Sequence, residues 1–340
     1  MSDIVGWDIG GAHLKAALLD GKGEIINMLQ LPCQLWRGLN QLEGAIASAL
    51  QAFKIKPGDA QHVVTMTGEL VDLFPNRHTG VVEIAALVVK LLGKSTVFYA
   101  SSHGFVTVER VSAHTAHIAS TNWHASASAL AMHVNDALLI DIGSTTTDVI
   151  AIEAGRVVEK GLSDASRMQA DSLVYTGVVR TPVMVLAQKL PFEGAETNVA
   201  AEYFATMADV YRLTGELRPE SDMAETADGK GRSELESARR LARMVGHDAE
   251  DKPMQIWKSL ANTCRTLQLN QIKAAVLKHL KPGVPMIGGG AGSFLVKVLA
   301  DDLEHEFKHV WEPISMRCAE HADLEVCFPA YAVAYLATKQ

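Results

Sequence analysis

Two short phrases carry residue types suited to gripping a phosphate. The first, DIGGAHLK, runs from Asp8 to Lys15, and the second, DIGSTTTD, from Asp141 to Asp148. In each, an apolar strand ends in Asp and is followed by small residues. Such a turn leaves backbone N–H groups exposed in a concave nest that takes an anion. Gly10 and Gly11 supply it in the first phrase, and Gly143, Ser144, Thr145 and Thr146 in the second, where hydroxyls add donors. Asp8 and Asp141 would repel a phosphate on direct contact. They suit Mg2+, which keeps several waters while bridging phosphate oxygens. Lys15 can neutralise phosphate as a point charge, and Asp148 stands at the equivalent place, so the two copies are chemically complementary. A third phrase, IGGGAGSFL, puts Gly288, Gly289 and Gly290 between an apolar strand and a helix. Glycine allows a ligand to approach the backbone, and a helix N-terminus favours anions. One such turn alone reads equally well as an ordinary hairpin. Two copies and the glycine run together argue for a phosphate-bearing ligand.

The elements that must hold these loops follow from periodicity. Strands are expected at residues 3–9, 13–19 and 24–31, as a hairpin meander with a turn at 20–23. A helix over 39–53, a strand over 62–67, a helix over 80–92 and a strand over 96–99 come next. The opening phrase then recurs: strands at 137–142, 147–153 and 157–161 follow the same order, 133 residues further on as counted from Asp8 to Asp141. Two copies of one supersecondary unit imply two similar lobes. Beyond them, helices are expected at 197–213, 234–245, 253–280, 293–303 and 329–339, with a strand at 284–287. The polar stretch 214–233 reads as a loop or lid.

Composition sets the outer bounds. The chain has 340 residues, enough for two domains. Its net charge of −8 argues against bulk binding to nucleic acid or an anionic membrane, since an acidic surface releases no counterions there. The N-terminus has no basic and no apolar region of a signal peptide. The longest apolar stretch, 81–92, is too short to span a bilayer. Cys33, Cys264, Cys318 and Cys327 form no CxxC pair and read as buried thiols, with a reducing cytoplasm as the default. The base rate for oligomers points to a homodimer.

DIGGAHLK, DIGSTTTD and IGGGAGSFL, in that order, resemble the first phosphate loop, second phosphate loop and adenosine loop of the actin-like superfamily of acetate and sugar kinases and heat-shock chaperones. The resemblance implies an α/β fold of two ribonuclease H-like lobes around a central cleft. The first lobe would cover residues 1–125, with 315–340 returning to it. The second would cover 126–314, with a helical insertion at about 195–280. YTGVVRTPV, from Tyr175, resembles the hydantoinase A and oxoprolinase branch. TGELVDLFPNRHTGV from Thr67, EYFATMADVYRLTGEL from Glu202 and TADGKGRS from Thr226 look like the methanofuran and methylofuran biosynthesis branch of one-carbon metabolism. That likeness implies a transferase. It would join an aminomethylfuran-methyl diphosphate to a glutamyl-tyramine phenol and release pyrophosphate. The loops, Mg2+ and Lys15 would then stabilise a departing diphosphate instead of the tail of ATP.

Under that resemblance other residues take candidate roles. Glu69 is the candidate for acid–base work on the phenol, against a solvated or capping carboxylate. Arg180 would bind phosphate or the glutamyl carboxylate, or else form an ion pair. Asp228 lies in a shaped turn beside Lys230 and Arg232, which could close over diphosphate. Glu202, Asp209, Glu216 and Asp222 read mostly as a solvated helix face, with amine binding as the alternative. His114 and His117 form HTAH near His103, His124 and His133, but without a paired carboxylate they make a poor zinc set. Ser101, Ser102 and His103 directly follow a strand and suit a substrate-contacting loop. Two other functions fit the loops: an ATP-dependent small-molecule kinase or ATPase, and a non-catalytic assembly protein.

Overall fold

The computed structural model describes residues 2–158, 161–314 and 321–340, and the side chains of all these except 321–324. The chain divides into two compact units. The first comprises residues 1–139, 150–170 and 308–340, and the second 140–149 and 171–307.

The first unit is built on a six-stranded sheet. Its strands are β1 (Ile4–Ile9), β2 (His13–Leu19), β3 (Ile25–Pro32), β4 (Gln61–Met66), β5 (Val97–Tyr99) and β6 (Phe105–Thr107), in the order β3-β2-β1-β4-β5-β6. β1 is central, antiparallel to β2 and parallel to β4, and every residue in it is buried. A strand covered on both faces needs the continuous apolar run it has. Helices α1 (Leu39–Phe53), α2 (Arg77–Leu92), α3 (Val108–Ile118) and α4 (Asn122–Ala131) complete the first 139 residues. Val5, Trp7 and Ile9 share one core with Leu42 and Ile46 of α1 and Ile84 and Val88 of α2. Alternation along β1 turns Gly6 to the other face. A Cβ there would strike the backbone oxygen of Ala330, in the final helix.

β1, β4 and β5 are parallel neighbours, so their carboxyl ends share one edge. The three segments leaving that edge are Gly10-Gly11, Thr67-Gly68-Glu69 and Ser101-Ser102-His103. Ligands of open α/β sheets bind at such an edge.

A second sheet contains β7 (Ala137–Ile142), β8 (Thr147–Glu153), β9 (Arg156–Val157) and β10 (Leu173–Val174) from one stretch of chain. After helix α5 (Asp164–Gln169) and the hairpin β11 (Lys189–Phe192) and β12 (Ala195–Asn198) come helices α6 (Met207–Thr214), α7 (Glu234–Arg243) and α8 (Met254–Val276). Strand β13 (Met286–Gly289), helix α9 (Ser293–Asp302), strand β14 (Phe307–His309) and helix α10 (His321–Ala337) end the chain. The sheet order is β10-β8-β7-β13-β14, with β9 on β8. β7 and β8 repeat β1 and β2 as the recurring phrase requires.

Some expectations change. The helix expected at 197–213 begins only at Met207. Upstream, Val199 N–H donates to Gln188, and residues 205–207 bond to 181–183, so tertiary backbone pairing holds that stretch extended. The capping box of Thr206 and Asp209 then starts α6. The strand expected at 157–161 shortens to β9, and residues 159–160 lie outside the described residues. The last helix starts at His321 and keeps Pro329 inside it, although proline suggested a first helical position. Helices α3 and α4 had no sequence expectation, because small and polar residues blur their period.

Cys33, Cys264 and Cys327 are free and buried, as expected, while Cys318 lies outside the described residues. Burial pushes the Cys33 thiol up to about 11 and that of Cys264 to about 12, so neither is a ready nucleophile.

Candidate functional site

In the first unit the phosphate-type loop closes tightly. Gly10 N–H donates to the His13 carbonyl at 2.9 Å, and Gly11 carries a carbonyl that accepts from Leu35 N–H at 3.0 Å. A Cβ on Gly11 would lie 2.7 Å from Val71. Asp8 and Lys15 are directly opposite in the β1–β2 ladder. Their side chains form an ion pair at 3.4 Å between Oδ2 and Nζ. The other carboxylate oxygen, Asp8 Oδ1, is buried and has no hydrogen-bond partner. An orphaned buried carboxylate oxygen is costly, and a cation or its bound water would satisfy it. The pairing of Asp8 with Lys15 was readable from the antiparallel hairpin but was not drawn from the sequence.

Glu69 sits at the next strand end. Thr67 N–H donates to the Ile9 carbonyl at 2.9 Å, and Gly68–Leu70 forms a short 3-10 turn. Gly80 of α2 lies against this turn so closely that a Cβ would meet the Glu69 backbone oxygen at 2.7 Å. The Glu69 side chain is 1% exposed, which excludes a solvated carboxylate. Ser120 Oγ donates to its Oε1 at 2.9 Å, while Oε2 is buried without a partner. Burial, with the negative charge of Asp164 adding to it, pushes the carboxyl up to about 7, against the Ser120 hydrogen bond and the charge of Arg77. Arg77 pairs with Asp164 at 2.8 Å. Asp164, the first residue of α5, is 5% exposed and was no sequence candidate.

The third strand end holds Ser101 in the left-handed region at φ 47°, with its Oγ buried and unpartnered. The His103 ring lies 4.1 Å from His117 and 5.3 Å from His114, centroid to centroid. Among the described residues no group of three or more His, Cys, Asp or Glu is arranged to hold a metal ion.

In the second unit the loop after β7 is wrapped by chain 177–180. Gly143 N–H donates to Thr146 at 2.9 Å. Val178 donates to the Gly143 carbonyl at 3.1 Å, and Val179 and Arg180 to that of Ser144 at 3.1 and 2.8 Å. The loop's carbonyls are thus taken up by the protein, as an anion nest made of amides requires. A Cβ on Gly177 would fall 2.5 Å from Thr145 N and 2.6 Å from the Gly143 oxygen. This explains the YTG of the sequence. Arg180 has an exposed side chain and a backbone fixed on Ser144. Its charge acts on the exposed Tyr203.

The glycine run splits in two. Gly288 and Gly289 belong to β13, and a Cβ on Gly288 would meet Phe307 at 2.8 Å. Gly290, at φ 75°, lies against Asp141 Oδ1 and the Ile142 oxygen. Gly292 N–H donates to the Ile142 carbonyl at 2.8 Å just before α9.

The acids of the lid region are a correction. Asp209 is fully buried and Asp222 nearly so, rather than solvated. Arg212 binds Asp209 at 2.7 Å and Asp222 at 2.6 Å, and Arg240 binds Asp209 at 2.8 Å. Asp228 accepts from Arg240 at 2.9 Å and from Lys230 N–H at 3.2 Å. Glu216 is held by Arg265 at 2.7 Å. Asp209 and Asp222, read as part of a solvated face, belong instead to a buried network of Arg212 and Arg240, while Glu202 is exposed as that reading expected and Glu216 is partly exposed.

Comparison with known proteins bears on both units. Residues 61–322 match the family model described as hydantoinase/oxoprolinase. The (4-{4-[2-(gamma-L-glutamylamino)ethyl]phenoxymethyl}furan-2-yl)methanamine synthase of Methanocaldococcus jannaschii is 29% identical over 343 residues, covering 99% of this chain and 98% of that one. A nucleotide-free acetone carboxylase, from a study of ATP-dependent acetone carboxylation, gives a TM-score of 0.58 at 10% identity, over 96% of this chain and 70% of that one. Component A of the (R)-2-hydroxyglutaryl-CoA dehydratase of Acidaminococcus fermentans gives 0.50 at 12% identity, over 100% of both chains. The fold is the actin-like one the three loop phrases implied.

Proposed function

The chain belongs to the hydantoinase/oxoprolinase family, and from that premise we propose that it is a transferase of furan-cofactor biosynthesis, forming an aryl ether between a furan-methyl carbon and a tyramine-type phenol. One observation carries this reading. The Methanocaldococcus jannaschii relative named for such a phenoxymethyl-furan product is 29% identical across 99% of this chain, with no unit left unmatched.

The reaction needs a leaving group on the furan-methyl carbon and loss of the phenol proton. We take the leaving group to be diphosphate. The phenol oxygen forms the new C–O bond, the bond from carbon to diphosphate breaks with its electron pair, and pyrophosphate leaves. Charge grows on the leaving group, so stabilising it lowers the barrier. Gly10 and Gly143 use their own amides to close the two turns, on His13 and Thr146, so the amides offered to an anion are that of Gly11 in the first unit and those of Ser144, Thr145 and Thr146 in the second. Lys15 shares its charge with Asp8 and brings positive charge to a phosphate oxygen beside the loop. The side chain of Arg180 is exposed beside the second loop and suits a carboxylate or phosphate.

Magnesium fits Asp8, whose buried Oδ1 lacks a partner. Asp141, beside Gly290, is the candidate holder in the second unit. When bound, the ion would neutralise charge on the diphosphate. Glu69 is the candidate base. A carboxyl near 7 can take a proton from a phenol, directly or through one water. Asp228 is tied to Arg240, so its part is to shape the turn that carries Lys230. Among the described residues no helix is long and apolar enough to cross a membrane.

The test is direct. Purified protein with Mg2+, the aminomethylfuran-methyl diphosphate and glutamyl-tyramine should release pyrophosphate and form the ether, followed by mass spectrometry. Consumption of ATP in place of the diphosphate, with no ether from any tyramine-type acceptor, would sink the reading.

A further inference from the structure

Glu69 is held in a way that distinguishes its two oxygens. Oε1 accepts the Ser120 hydroxyl at 2.9 Å, and Oε2 is buried with no partner. Ser120 achieves this from the left-handed region at φ 53°, which non-glycine residues rarely occupy, and such strain persists only where the surroundings enforce it. It follows Ala119, which forms a parallel bridge to Met66 at the end of β4. The hydroxyl is therefore fixed to the same strand edge as the carboxyl it serves. Arg77, at the start of α2, pairs at 2.8 Å with Asp164 of α5, which is 5% exposed, and both charges act on the Glu69 carboxyl.

We propose that Ser120 is a positioning residue for Glu69: its hydroxyl occupies Oε1 and so makes Oε2 the oxygen that exchanges the proton. The inference rests on the acid–base reading of Glu69 above. In the step, the phenol O–H proton passes to Oε2, the phenol oxygen bonds to the furan-methyl carbon, and diphosphate leaves with the electrons of the broken bond. No atom changes oxidation state in the step. The groups that act on Glu69 are Ser120, Asp164 and Arg77, together with its own backbone amide. Ser120 and Asp164 act on the carboxyl in opposite senses. The Ser120 hydrogen bond favours the ionised form, and the Asp164 charge opposes it.

Carboxyl 13C NMR of glutamate-labelled protein, with the Glu69 signal assigned by its loss in E69Q, reads this without requiring turnover. S120A should move the Glu69 midpoint upward by about one pH unit, the worth of a hydrogen bond to a charged group. D164N should move it downward. If D164N does not fold, R77M replaces it: Arg77 is 40% exposed at its side chain, and its loss should move the midpoint up. The Asp164 and Arg77 variants calibrate the shift that a nearby charge gives, and a midpoint that stays fixed in S120A overturns the proposal. The acid limb of pyrophosphate release should shift with the NMR midpoint. A limb that stays fixed while the NMR midpoint moves overturns the link to chemistry. Wild-type protein that releases no pyrophosphate sinks the transferase reading, while the NMR comparison still decides the role of Ser120.

Discussion

At the scale of single residues, Glu69 departs furthest from its ordinary chemistry. Its carboxyl goes from an ordinary 4.5 to about 7 because water is excluded from it and Asp164 stands nearby. Such a shift is also a statement about stability. Between those two values the folded protein holds a proton that the unfolded chain gives up. The contribution is complete below 4.5 and is lost as pH rises through 7, by about 3 kcal/mol in total. E69Q keeps the shape and has no proton to lose. Urea unfolding of both proteins at roughly pH 4 and pH 8 should therefore show the wild type losing about 3 kcal/mol relative to E69Q. Parallel pH profiles would mean that Glu69 titrates normally. Asp8 is the other exceptional acid. Its partner Lys15 takes one oxygen and leaves the other buried and unmet, which favours a cation there.

At the scale of elements, the two phosphate-type loops are shaped by different means. The first is fastened by the chain that follows it, through Leu35 N–H on Gly11 and Val71 against the same glycine. The second is fastened from a distance in sequence, by residues 177–180. Gly177 matters there for lack of a side chain rather than for an unusual φ. G177A would push a methyl group into Thr145 N at 2.5 Å. We expect it to weaken pyrophosphate binding at least about tenfold by calorimetry, a cost of ~1.4 kcal/mol. G44A is the matched control: Gly44 lies in α1, and a Cβ there would meet nothing within 4 Å. Alanine at that position should stabilise the helix by up to about 1 kcal/mol without touching binding. Equal pyrophosphate affinity in G177A and the wild type would show that the loop is no anion nest. The Arg–Asp network of α6 and α7 works differently again. Its acids are neutralised inside the protein and support the turn that carries Lys230.

At the scale of the whole chain, the first unit is finished by the last residues. Helix α10 lies on β1 at Gly6, so closely that no side chain fits between them. Phe328, Tyr331 and Val333 of α10 are buried. A chain stopped after Ile314 would leave the Gly6 face of β1 bare. It should lose near-UV circular dichroism and bind a hydrophobic dye, as loosely packed states do. G6V should approach the same state by forcing strand and helix apart. A truncated chain that keeps a cooperative transition and native near-UV signal would show that α10 is dispensable.

The opening three-strand meander of the first unit, the repeat at Asp8 and Asp141 and the span of α1 were legible in the sequence, because each rests on a local period or turn, whereas the short strand β6 was not. The loop residues were legible for the same reason, since small residues after a strand-ending Asp are a local signal. Glu69 was legible as a candidate, but its environment was not. Asp164 and Ser120 lie 95 and 51 residues away from it in the chain, and only folding brings the Ser120 hydroxyl onto its carboxyl and the Asp164 charge to bear on it. The same holds for Asp209 and Asp222, which read as solvated because a sequence does not show which arginine faces an acid. Tertiary backbone pairing also overrode the helical pattern before Met207. Local chemistry is written in neighbouring residues, whereas burial and the partner of a charge depend on contacts made across the whole chain.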